Sequence, residues 1–116
     1  MADRILRWYM DGNISRDKVE VGGTYLLEDD YVPEWVHITA RLAGKGATPM
    51  VVDINDDGIS IFDTKPALTE SQTEKKWTTI PGNTLREGSI ITCDIDQVFS
   101  EDTCRDLTVE LGLSNT

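Results

Sequence analysis

Residues Leu107, Val109, Leu111 and Leu113 are apolar, and Thr108, Glu110 and Gly112 between them are small, polar or charged. A repeat of two residues puts alternate side chains on opposite faces of a pleated strand, so this run predicts a strand with one dry and one wet face. The same alternation recurs in Val36, Ile38, Ala40 and Leu42 against His37, Thr39 and Arg41, and in Ile91, Cys93 and Ile95 against Thr92 and Asp94. Met50 to Ile54 and Ile59 to Phe62 are β-branched runs joined by Asn55-Asp56-Asp57-Gly58, whose Asp-Gly step suits a tight hairpin. Further strands are predicted at Ile5 to Met10, Val19 to Leu27 and Trp77 to Ile80, bounded by Asp11-Gly12-Asn13, Asp29-Asp30 and Pro81-Gly82-Asn83. Leu68 to Lys76 has no apolar face and is expected to be a polar loop.

About eight short strands separated by turn signals predict an all-β fold: an antiparallel two-sheet β-sandwich with jelly-roll-like or Greek-key-like connections. At 116 residues the chain has the size of one domain. We divide it into residues 1–10, an N-terminal arm or first strand, and residues 11–116, a single β-sandwich.

Charge narrows the partners. The 21 acidic residues outnumber the 11 basic ones for a formal net charge of −10, which repels phosphate backbones and anionic lipid heads, so neither nucleic acid nor membrane is expected as a partner. The first residues carry no signal-peptide pattern, and no run reaches the roughly 18 apolar residues of a membrane-spanning helix; a soluble product is expected. Cys93 and Cys104 are the only cysteines and are read as free thiols.

Catalytic signatures are sparse, and the expectation is a non-enzymatic protein without cofactor. His37 is the single histidine and falls on the polar phase of its strand; nucleophile-elbow, Walker and dinucleotide-binding motifs are missing. Asp53, Asn55 and Asp57 have the spacing of the first half of an EF-hand loop, but position 12 is Thr64 where a bidentate Glu is required. An acidic hairpin turn is the favoured reading of these residues, and a weak ion site at Asp53, Asn55 and Asp57 the lesser one. The three tryptophans are assigned to packing or to an interface, with Trp35 beside His37 the better interface candidate.

Three segments then combine: Asp53-Ile54-Asn55-Asp56-Asp57-Gly58-Ile59-Ser60-Ile61-Phe62 followed by Lys65-Pro66, the stretch from Leu85 to Val98 with Ile91-Thr92-Cys93-Asp94-Ile95-Asp96 at its centre, and Asp106-Leu107-Thr108-Val109-Glu110-Leu111. In order and spacing they resemble a family of small β-sandwich structural domains in tailed-bacteriophage virions, from about Val36 to Leu113. Departures fall in or beside turns: Ser89 stands where the family has Asp, Phe99 where it has Gly, and Thr103-Cys104-Arg105 where a glycine precedes Asp106.

The resemblance implies a virion component made in the host cytoplasm. The first expectation is a capsid decoration or cement protein on the outer surface of the head, binding the major capsid protein and copies of itself as a homotrimer. The alternative is a tail fibre, collar or receptor-binding module contacting host glycan through loops Glu28 to Glu34 and Thr64 to Lys76. The expected partner interface comprises Arg4, Ile5, Leu6, Arg7 and Trp8, which set basic groups beside large apolar ones, together with Trp35 and His37.

Overall fold

A computed structural model describes residues 3–14, 21–101 and 104–116. Among these residues nine strands form two antiparallel sheets packed as a sandwich: β1 (Arg4–Asn13), β2 (Tyr25–Leu26), β3 (Tyr31–Leu42), β4 (Met50–Asp56), β5 (Ile59–Ser60), β6 (Ala67–Leu68), β7 (Glu74–Trp77), β8 (Ile90–Gln97) and β9 (Arg105–Asn115). Sheet I has the order β1-β9-β3-β7; sheet II has the order β2-β8-β4-β5, with β6 also pairing with β4. The antiparallel pairs are nested along the chain: β1 with β9, β2 with β8, β3 with β7, and β4 with β5.

The period-two pattern decides what each sheet buries. In sheet I the inward residues Leu6, Trp8 and Met10 face Leu111, Val109 and Leu107 of β9, which in turn face Val36, Ile38 and Ala40 of β3. Sheet II presents Val52 and Ile54 beside Ile95 and Cys93, all fully or almost fully buried. These two apolar surfaces meet as one core, whose removal from water is the main favourable term in folding. Cys93 and Cys104 are buried free thiols, and burial raises both; Cys104 is pushed up to about 11.

The hairpin at Asp57-Gly58 forms as the sequence predicts. Both residues have positive φ, 50° and 86°, as a two-residue type I′ connection requires. Other expectations need correction. Asp11-Gly12-Asn13 is not a turn but the end of β1, where the register with β9 shifts and Gly12 supplies the positive φ of a bulge. The segment Leu68 to Lys76 is not all loop: it holds the end of β6 and the first three residues of β7, and β7 stops at Trp77 instead of running to Ile80. Periodicity misses β7 because it is a short edge strand, and edge positions favour lysines such as Lys75 and Lys76. Of the strand expected from Val19 to Leu27, Val19 and Glu20 lie outside the described residues, and within the rest Tyr25–Leu26 forms a strand while Val21 and Leu27 make backbone hydrogen bonds to Cys93 and Ser89.

Candidate interaction surface

Because β9 lies between β1 and β3, the outward phases of three distant segments meet on the outer face of sheet I. Ile5, Gly112 and Trp35 form one cross-strand row; Arg7, Glu110, His37 and Lys76 form the next; Tyr9, Thr108, Thr39 and Glu74 form a third. Opposed residues in such rows are close enough for their side chains to interact.

From the middle row a chain of polar contacts runs on to Glu74 of the third. Arg7 Nε donates to Glu110 Oε2 at 2.8 Å, and Glu110 Oε1 lies 3.7 Å from His37 Nδ1. His37 Nε2 is 2.8 Å from Glu74 Oε2, so both ring nitrogens face carboxylates. Beside it the Trp35 ring lies over Gly112, where a Cβ would come within 2.2 Å of the indole; only glycine lets the ring settle on the sheet. Lys76 Nζ stands 5.7 Å from the Trp35 ring centroid, within cation–π range. Ile5 and Tyr9 are 43% and 52% exposed on this face, so it combines apolar area with paired charges. A surface of this composition, with a shallow concavity lined by Trp35, His37, Glu74 and Lys76, suits recognition of another protein.

Four of the residues expected to contact a partner, Ile5, Arg7, Trp35 and His37, therefore share one surface. Leu6 and Trp8 do not: strand alternation turns them inward, both are fully buried, and Trp8 Nε1 donates to the Gly23 carbonyl at 3.1 Å. That overturns their assignment to a partner interface, because a fully buried side chain offers no surface. Arg4 sits at the corner of the sheet, 3.3 Å from Glu28 and 5.9 Å from the centre of the Tyr25 ring. Glu110, Gly112, Glu74 and Lys76 were not singled out from the sequence. The outward phase of the 107–113 repeat marks the first two, whereas nothing local marks Glu74 and Lys76 as neighbours of His37.

The Asp53, Asn55 and Asp57 motif does not converge. Asp53 and Asn55 point to the outer face of β4, while Asp57 lies in the turn, where its Oδ1 accepts the Ile90 N–H at 2.8 Å. Asp53 instead joins Asp94 and Asp96 of β8, with carboxylate oxygens within 4.8 Å of one another. Lys65 supplies the compensating cation, its Nζ 2.5 Å from Asp96 and 3.4 Å from Asp53. Ser60 Oγ also donates to Asp53, and Asn55 Nδ2 donates to Asp94 at 2.7 Å. Burial pushes the Asp53 carboxyl above its usual range, against the downward pull of Ser60 and Lys65.

No family model, curated protein or solved structure matches this chain.

Proposed function

We propose that this chain is a non-enzymatic structural protein of a tailed-phage virion, a decoration or cement protein that binds the major capsid protein on the outside of the head. The observation that carries this reading is the outer face of sheet I, where Trp35, exposed Ile5 and Tyr9 surround the Arg7–Glu110–His37–Glu74 chain. Aromatic and apolar anchors beside oriented charges are what a protein contact uses. The resemblance of the segments from Val36 to Leu113 to virion sandwich domains supports the setting. The net charge of −10 suits an outer surface facing away from packaged DNA.

Within this reading the connectivity is a jelly roll. With the two-residue β6 left aside, eight strands pair as a long hairpin folded over on itself, first with last, second with second-last. Jelly rolls are common among viral capsid and lectin domains, an analogy of fold that supports the setting and leaves function to the site. Self-association as a homotrimer on the head completes the proposal, since closed symmetry lets a small domain share burial with its neighbours.

The test is antibody labelling of intact particles of the encoding phage, viewed by negative-stain electron microscopy. Label over the whole head is expected, and Trp35→Ala together with Arg7→Glu should abolish binding of added protein to heads that lack it. Label confined to the tail or neck would replace this reading with a tail fibre, collar or receptor-binding module, and unlabelled particles would reject a place on the virion surface.

A further inference from the structure

One carboxylate of the inner face is left over. β4 alternates Val52, Ile54 and Asp56 toward the core, and the register confirms the phase: Asp56 stands opposite Ile91, which is fully buried. The last inward position of β4 is therefore a charge, at the end of the sandwich where the sheets open. There Asp56 lines a cleft of about 210 Å³ with Pro33 of sheet I and with Phe62, Pro81 and Leu85. Asp56 Oδ1 is shielded from solvent, and among the described residues it meets no hydrogen-bond donor and no ion pair joins Asp56. A shielded carboxylate oxygen without a donor is costly, so the site favours a ligand that brings one.

We propose that this cleft binds an arginine or lysine side chain of a partner protein, with the alkyl stem against Pro33, Phe62, Pro81 and Leu85 and the cationic head on Asp56. The volume fits one long side chain and falls below the roughly 300–1,000 Å³ of sites for drug-sized ligands. Charge complementarity selects the head group: Asp63 also lines the cleft, and the whole chain is strongly acidic. The broad χ2 preference of aspartate lets a small rotation turn Oδ1 toward an incoming donor. The proposal is independent of the virion reading, since it concerns the mouth of the sandwich and not the outer face of sheet I.

The experiment is an amide-shift titration of the 15N-labelled full chain with the peptide acetyl-Gly-Arg-Gly-amide. Citrulline, which keeps the shape without the charge, replaces Arg in a second arm, and free putrescine is a third. Saturable shifts are expected at Ile59, Phe62, Asn83 and Leu85, with apparent affinity about tenfold weaker for citrulline and for the Asp56→Asn variant, the scale of one charged hydrogen bond. Equal affinity for the citrulline peptide, unchanged binding by a folded Asp56→Asn variant, or no saturable shift would overturn the proposal. Putrescine binding as tightly as the Arg peptide would overturn the assignment to a protein partner. Should Asp56→Asn fail to fold, the citrulline arm decides the role of the charge on wild-type protein.

Discussion

The outer faces of the two sheets have opposite fates although both come from polar phases of alternating strands. On sheet I, Arg7, Glu74 and Lys76 reach solvent, and the Arg7–Glu110 ion pair forms in water. On sheet II, Asp53 is only 4% exposed and Asn55 and Thr92 are buried as well. The difference comes from residues 59–68, which run along the edge of β4, pair with it at both ends through β5 and β6, and fold Ser60 and Lys65 over its outer face. A polar strand phase is thus compatible with water or with a compensated polar layer, and the energetic value of a charge differs between the two settings.

The strongest way to break this contrast is Lys65→Met. It leaves Asp53 and Asp96 without the Lys65 cation, and because Lys65 is itself partly exposed the expected loss is about 2–3 kcal/mol, below that of a fully buried pair. Urea unfolding measures it; a loss below that of Arg7→Met would show that sheet II is no drier than sheet I. Next comes Gly112→Ala. Its Cβ displaces the Trp35 ring, so a loss of about 1–2 kcal/mol and a red-shifted tryptophan emission are expected, with Thr108→Ala on the same strand as the mild comparison. Arg7→Ala should cost under about 1 kcal/mol and lose its effect in high salt, as exposed pairs do.

Acid separates two carboxylates by sign. Hydrogen bonds from Arg41 and from the Gly12 N–H hold the Asp106 carboxyl below its ordinary range, so its contribution to stability is complete above the unfolded value of about 3.9 and is lost as pH falls through the folded one. Burial raises Asp53, so the cost of its ionised form is relieved as pH falls from the folded value toward the unfolded one. Melting curves from pH 7 to acid should therefore show the stability gap between wild type and Asp106→Asn shrinking. Against Asp53→Asn, wild type should gain. Parallel slopes for the two variants would refute the assignment.

Much of the framework was legible because it is local. The phases of β3, β8 and β9 follow from alternation, and the hairpin follows from Asp57-Gly58. The phase of β1 is equally readable: Ile5 and Arg7 point out, Leu6 and Trp8 point in, so Arg4 to Trp8 cannot form one continuous contact surface. The motif at Asp53, Asn55 and Asp57 misled for a related reason. Spacing that gathers ligands on a tight loop splits them between a strand face and a turn when the chain is extended.

Taken alone, the sequence determined which side chains stand on the same side of each strand, because the pleat sets that residue by residue. It did not determine that β9 would bring Arg7 and His37 to one glutamate, that Lys65 would cover Asp53, or that Asp56 would end its inward row at an open mouth. Those outcomes depend on pairings between segments tens of residues apart. The free energy that selects such pairings comes from burying both sheets' apolar phases together, which no single stretch of chain encodes.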